Sequence, residues 1–440
     1  MKKGLLVVAG MAVAATGTAS FQQLQYEQYV QAAVQDLVEQ VKDSEIEGVP
    51  IHALYDHHQG GLFESTGRVT LIAGRSTGES RIELDYVVQH YPDVPLSGAS
   101  YRVEVRNSIL DGSVQETLTS KLFNGKPVLM SGVVSSDSAT GTVHIPEIWL
   151  TTQRDTVSGS AGTITWKAGI TPEGAFSKQF SADLSYPGFE IKSQQGKKTG
   201  GLKIDGIQGE FAYDQRPSNN SSHLTAGFQS FDLVNRGNEF RLGKTAWRSD
   251  WEVGRFAKSR VNFSVLNALI KGNEIPKIAL NISLDKLNAE AVQTIQQLVE
   301  SADQERWGAE NAQQELYGMM LQLSDQLIQD DPVLAVEDLQ VELGEKGSFA
   351  LDGSIMLDHS KLSPTAMREL MSSGRASAGF QNDLRHALNI NLHAQAEGEA
   401  QKVIYAALRR KARPIADAMQ DGDLVITAEN GVLKIDGTAL

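Results

Sequence analysis

Apolar and polar residues alternate with a period of two over much of the chain. The pattern is plain in RVTLI (Arg68 to Ile72), RIELDYV (Arg81 to Val87), YRVEV (Tyr101 to Val105), GTITWKAGI (Gly162 to Ile170) and KIALNISL (Lys277 to Leu284). Successive side chains on a strand point to opposite faces, so each of these segments predicts a strand with one apolar side. Asp111-Gly112, Asn124-Gly125 and Pro187-Gly188 lie between such segments and read as turns. One-sided strands favour antiparallel sheet over a parallel sheet buried between helices. The prediction for about Ile51 to Leu284 is therefore a large antiparallel body.

The period changes to that of a helix from roughly Asn288 to Gln329. There Ala291, Val292, Ile295, Leu298 and Val299 share one face, as do Leu316, Met320, Leu323 and Leu327. Asp330-Asp331-Pro332 stops the block, because the residue before proline is pushed out of helical geometry. Ser363-Pro364, an N-cap followed by proline at the first helical position, predicts a shorter helix to about Gly374. Another runs from about Glu397 to Met419 with Val403, Ile404, Ala407 and Leu408 inward and a kink at Pro414. LNINLHA (Leu388 to Ala394) is a strand between them.

Three segments repeat a short pattern: GGLKIDG (Gly200 to Gly206), GSFALDG (Gly347 to Gly353) and GVLKIDG (Gly431 to Gly437). Each reads as a turn glycine, a strand and an Asp-Gly turn. Their spacing is irregular, which excludes a fixed-period solenoid and leaves open common hairpin vocabulary or a repeated unit. The last copy predicts a register. With Asn430-Gly431 as a two-residue loop, Glu429 opposes Val432, Ala428 opposes Leu433 and Ile426 opposes Ile435. Ile426, Ala428, Leu433 and Ile435 then share a face, with Thr427, Glu429 and Lys434 on the other.

The N-terminus changes the picture from a sheet protein to a tethered one. Lys2 and Lys3 precede GLLVVAGMAVAATGTA (Gly4 to Ala19), an uncharged apolar run. A basic start with small residues at Gly17 and Ala19 also suits a cleaved signal peptide. The run continues without Gly or Pro into an amphipathic stretch bearing Phe21, Leu24, Val30, Val34, Leu37, Val38 and Val41, which favours a retained anchor extended as a stalk. At ~1.5 Å per residue, Gly4 to Lys42 spans about 60 Å. Lysines before the segment place the N-terminus in the cytoplasm and the body in the periplasm.

Composition removes whole function classes. A net charge of −14 gives nothing to neutralise phosphates, so nucleic acid is not a partner. There is no cysteine, hence no disulfide, thiolate metal site or thiol nucleophile. The HExxH and P-loop motifs are absent. His57-His58 beside Asp56 is the one His pair, but neighbours on a strand face opposite ways and no third ligand lies nearby in sequence. GKKTGG (Gly196 to Gly201) lacks the spacing and following helix of a phosphate loop and reads as a solvated turn. Asp330-Asp331 and Asp421-Gly422-Asp423 sit at element boundaries, where aspartate serves local backbone hydrogen bonds. LRRKAR (Leu408 to Arg413) suits a helix C-terminus; an acidic partner or a lipid head is its functional alternative. Asn219, Asn262 and Asn281 fit glycosylation sequons, which a periplasmic body leaves unused. The residues thus nominate no catalytic, cofactor-binding or metal-binding site, and no cofactor.

The chain resembles the YdgA family of bacterial proteins of unknown function. The resemblance is carried by the lysine-led N-terminal segment, YDHHQGGLFES (Tyr55 to Ser65), LQLSDQLIQDDPVLAVEDLQVE (Leu321 to Glu342) and DGDLVITAENGVLKIDG (Asp421 to Gly437). Where the family tends to have His-Gly-Pro, this chain has His90-Tyr91-Pro92. The resemblance implies an inner-membrane anchor with a periplasmic body and, by weaker analogy, kinship with AsmA-like envelope proteins; it brings no catalytic residue. The combined expectation is an α+β, predominantly antiparallel β chain. Residues 1–20 are an anchor or uncleaved signal segment and 21–48 a stalk helix. Residues 49–285 form a β-rich region, 286–331 a helical block and 332–440 the strands and helices that complete the body. The expected function is binding of lipid or another apolar envelope ligand in a β-sheet groove. The alternative is a scaffolding protein of the envelope, with a homo-oligomer formed through its helices; enzymatic activity is not expected.

Overall fold

A strand needs a neighbour for every backbone N–H and C=O it exposes, and the antiparallel ladder supplies one to consecutive segments joined by short turns. That arrangement dominates here. The computed structural model describes residues 44–440 except 47–48, 61–63, 76–77, 91–98, 110–122, 136, 153, 171–175, 196–197, 217–218, 236–237, 271, 296–322, 324–325, 364–377, 410–412 and 440. The predicted anchor, residues 21–43 of the stalk, the Asp111-Gly112 turn, residues 296–322 of the helical block, the helix after Ser363 and the Tyr91-Pro92 step lie outside the described residues; Ser44–Ile46, expected at the end of the stalk helix, is instead a strand paired with Val49–Ile51. What is described is mostly antiparallel sheet with few helices, and the chain divides into two compact units.

The first unit comprises β1 (Ser44–Ile46), β2 (Val49–Gly60), β3 (Glu64–Arg75), β4 (Gly78–His90), β5 (Ala99–Ile109), β6 (Val128–Val134), β7 (Ser138–Ile145), β8 (Ile148–Thr151), β9 (Asp155–Gly159), β10 (Gly162–Ile170), β11 (Phe176–Gln195) and β12 (Lys198–Arg216). Strands β1 to β7 pair in sequence, and β10 then joins β7 to β11. Strand β11 runs on past β10 to pair with β9, while its other edge takes β12 along its length. All four segments RVTLI, RIELDYV, YRVEV and GTITWKAGI are strands as the alternation predicts, and their apolar sides supply Val69, Leu84, Tyr86, Tyr101, Val103 and Trp166 to the core.

The second unit takes most of β13 (Asn219–Phe228) and of β15 (Asn238–Leu242), β16 (Thr245–Val253), β17 (Phe256–Ile270), β18 (Asn273–Asn288), β19 (Val333–Glu342), β20 (Ser348–Leu357), β21 (Leu388–Ala396), β22 (Asp423–Glu429), β23 (Val432–Ile435) and β24 (Thr438–Ala439), while β14 (Ser230–Asn235) pairs with β12 in the first. Here β13 and β16 pair, and β16 to β24 follow one another. The last hairpin has the predicted register: Glu429 opposes Val432, Ala428 opposes Leu433 and Ile426 opposes Ile435. Asn430 and Gly431 have φ of 51° and 79°, the left-handed values that a two-residue loop needs.

Other turn signals correct the sequence reading. Pro187-Gly188, Asp205-Gly206 and Asp352-Gly353 are not turns but interior positions of β11, β12 and β20. Pro187 has no N–H to donate, and the register places it opposite Gly206 at φ 64°. Asp205 opposes Ser230, so the same line passes Gln229; in the other direction it meets the break between β9 and β10 and that between β7 and β8. The first unit is therefore creased along one line. The second unit repeats the device, with Pro276 of β18 opposite Asn267 of β17 at φ 58°. At both places the alternation changes phase: Leu184 and Tyr186 give way to Phe189 and Ile191, and Val265 gives way to Ala268. A left-handed residue rotates the strand so that the apolar positions stay on one face.

The helices also depart from expectation. Residues 289–295 are helical as predicted, with the Asn288 Oδ1 accepting the Ala291 N–H at 2.9 Å as an N-cap. The helix predicted over Glu397 to Met419 is two, α2 (Gly398–Arg409) and α3 (Arg413–Ala418), followed by a 3₁₀ turn at Met419–Asp421. Pro414 thus begins a helix instead of kinking one, since its missing N–H is harmless in the first turn. Val403 faces outward at 67% exposure, while Ile404 packs inward. An unpredicted helix, α1 (Ala378–Ala387), buries Phe380 and Ala387 on one side.

Candidate functional site

The sequence nominated no catalytic residue, so the place to look is the sheet face that the alternation predicts. In the second unit, residues that oppose one another across the ladder share a face. One row runs Trp247, Phe263, Leu280, Leu339, Leu351, Ala394, Leu424 from β16 to β22. The row beside it runs Val265, Ile278, Val341, Phe349, Ala396. On its other side stand Val261, Ile282, Val336, Gly353, Leu392, Ile426 and Ile435. A fourth holds Leu284, Leu334, Ile355, Ile390, Ala428 and Leu433. The result is a continuous apolar surface.

Two clusters cover parts of it. Over β20 to β23, Ala394, Ala396, Leu424 and Ile435 pack with Met419, Ile404, Ile415 and Ala418 of α2, α3 and the turn after them. At the far end Val253, Ala257 and Leu287 pack with Val292 of the 289–295 helix and with Leu327. Between these clusters Val261, Phe263, Ile278, Leu280, Ile282 and Val336 are half-buried. Trp247, ring to ring with Phe263 at 6.2 Å, stays 43% exposed, and Leu334 stays 39% exposed. Trp251 carries an indole N–H that is buried with no partner among the described residues.

The opposite face is polar and locally paired. Arg260 binds Glu337 at 3.0 Å, and Glu337 also accepts from Asn281 at 2.8 Å. His223 and Arg248 share Asp250, at 2.5 and 2.7 Å. His393 lies 2.7 Å from Asp423 and 3.4 Å from Asp352, which raises its pKa, chiefly through the Asp423 hydrogen bond. These exposed pairs add little stability each, about 0–1 kcal/mol. Their consequence is contrast, a wet side behind a greasy one.

The residues weighed for chemistry are scattered. His57 and His58 lie on β2 beyond an irregularity at Asp56, opposite Arg68 and Gly67. Residues 196 and 197 lie outside the described residues, between Gln195 and Lys198, which pair at the end of the β11–β12 hairpin; no helix follows. Asp330 accepts from Asn288 at 2.8 Å, and Asp331 accepts the His359 backbone N–H at 2.8 Å, both boundary roles. Gly422, at φ 83°, closes the turn before Asp423. Arg409 is exposed and lies 6.0 Å over the Tyr405 ring; the next three residues of the basic cluster lie outside the described residues. Among the described residues no group of three His, Cys, Asp or Glu stands together as a metal site. No helix among them is long and apolar enough to cross a membrane.

The model of a family described as a bacterial protein of unknown function (DUF945) matches residues 1–440. No curated protein and no solved structure matches the chain.

Proposed function

Because this chain belongs to the DUF945 family of bacterial proteins of unknown function, we propose that it is a non-enzymatic envelope protein that holds acyl chains on the apolar face of its second unit. The reading places it in the YdgA branch, with the Gly4–Ala19 segment as inner-membrane anchor, Phe21 to Lys42 as stalk and the β-rich body in the periplasm.

The observation that carries the reading is the stretch of apolar face between the two packed clusters, where Trp247 and Leu334 remain open to solvent. Each methylene moved from water onto such a surface is stabilised by about 0.8 kcal/mol, so an acyl chain supplies ample driving force.

The test is native mass spectrometry of the full chain extracted from membranes in mild detergent. Lipid adducts are expected on the native protein and a marked loss of them on Trp247→Lys, with circular dichroism unchanged. Adduct-free spectra, or adducts indifferent to Trp247→Lys, would overturn the acyl-chain reading. Protease accessibility in spheroplasts tests location separately: a body protected until the inner membrane is opened would place it in the cytoplasm and remove the periplasmic reading.

A further inference from the structure

The crease of the first unit opens a cleft of about 570 Å³ on its floor of Gly159, Ser160, Pro187 and Gly188. Its wall holds an aromatic ring where a polar one-sided sheet has no need of it. Trp149 of β8 opposes Ser158, Ser158 opposes Glu190, and Glu190 opposes Lys203, so the indole stands on the polar side of the sheet. It is 59% exposed. Keeping a tryptophan this open forgoes most of its burial energy, so packing does not account for it.

The charges around it are already balanced. Lys203 binds Asp205 at 2.6 Å, Lys192 binds Glu190 at 2.8 Å, and Lys126 approaches Glu147 at 3.8 Å. Asp205 also accepts the Ser230 hydroxyl at 3.0 Å, and these two bonds hold its pKa low, the one from Lys203 more strongly. A balanced set exerts little pull on an anion or a cation, yet every carboxylate keeps lone pairs and every ammonium keeps protons for neutral donors and acceptors. A Cβ on Gly188 would meet the Ile204 carbonyl oxygen and lie 2.9 Å from the Asp205 Cα, so glycine there lets β11 and β12 approach closely at the crease. The volume is that of a small-molecule site.

A flat aromatic platform in water, ringed by paired charges and serine hydroxyls, matches one ligand chemistry well. A pyranose has an aliphatic C–H face to lay on an indole and hydroxyls around its rim to donate and accept. We propose that the crease cleft binds an uncharged saccharide, with Trp149 as its stacking platform and Lys203, Asp205 and Glu190 as its polar rim. An acyl chain would leave those charges without water. This site is independent of the apolar face of the second unit.

The test is ligand-observed NMR and calorimetry on the full chain in detergent, using maltotriose, cellotriose and chitotriose as probes. At least one is expected to bind with a Kd of ~1 mM or tighter. Trp149→Ala should weaken it by about tenfold or more, Trp149→Phe should recover most of the affinity, and Trp247→Ala should leave it unchanged. Trp149 is exposed, so these variants keep the fold, which circular dichroism verifies. No binding of any probe at ~10 mM, binding indifferent to Trp149→Ala, or capture of an anionic saccharide or a peptide in preference to all three would overturn the proposal.

Discussion

Replacing Gly132 with alanine tests how the first unit packs. Tyr101, Gly132, Gly141 and Trp166 oppose one another in a row across β5, β6, β7 and β10. Strands about 4.8 Å apart separate the Tyr101 and Trp166 backbones by roughly 14 Å, yet their ring centroids are 6.4 Å apart, inclined at 29°. The two rings therefore lean toward each other over the two glycines. A Cβ on Gly132 would collide with the Thr140 carbonyl oxygen and the Tyr101 hydroxyl, and sit 2.6 Å from the Tyr101 Cζ. Tyr101 is only 3% exposed and donates to that same carbonyl at 3.2 Å, so it has nowhere to retreat without losing the bond. Overpacking costs about 1–3 kcal/mol, and the lost hydrogen bond about 1 kcal/mol. Restricting the unfolded chain returns about 0.5–1 kcal/mol. A net destabilisation of about 2 kcal/mol follows, or roughly thirty-fold faster exchange of the β5 to β7 amides if they open together. Hydrogen–deuterium exchange read by mass spectrometry localises the effect. Gly254→Ala is the control, because a Cβ there meets nothing within 4 Å. Exchange in β5 to β7 unchanged by Gly132→Ala would refute the picture of rings held over bare backbone.

Three further outcomes follow from local geometry. His393 titrates above the ordinary imidazole value of 6.5 because Asp423 and Asp352 favour its charged form; its stabilising share is complete below pH 6.5 and fades as pH rises through the raised value. An NMR titration should show this, and Asp423→Asn should bring the midpoint down; a midpoint at or below 6.5 in the native protein contradicts it. Asn288→Ala removes both the cap on Ala291 and the bond to Asp330, at 2.9 and 2.8 Å. A loss of about 1–2 kcal/mol is expected, seen as faster exchange over residues 289–295, and an unchanged rate would deny the cap its role. Asn267 sits at φ 58°, so Asn267→Val should cost about 1–3 kcal/mol and Asn267→Gly almost nothing; denaturation midpoints that rank the two the other way would dismiss strain as the reason for asparagine there.

Much of this protein is written locally. Alternation named the strands of both units, and Asn430-Gly431 set the final hairpin because only left-handed residues close so short a loop. Asp330-Asp331-Pro332 marked where helix gives way to β19. The α1 helix has only Phe380, Leu384 and Ala387 to carry its period, a short span in polar surroundings that does not stand out in the sequence. A stripe that includes Val403 is one position too wide; the neighbouring Ile404 makes the contact.

Pro187-Gly188 and Asp205-Gly206 carry the local chemistry of turns, and in isolation that is a sound reading. They became interior strand positions because long ladders on both sides hold the chain extended, leaving proline and glycine to crease it. The same limit applies to Trp149, whose place in one row with Glu190 and Lys203 spans four strands and has no signature in the sequence. Sequence alone determined which residues alternate, where hairpins close and which sides of strands are apolar, because those depend on neighbours a few residues away. Which apolar sides join into one surface, and which polar groups meet at a crease, was decided by the tertiary structure, because register between distant strands sets them.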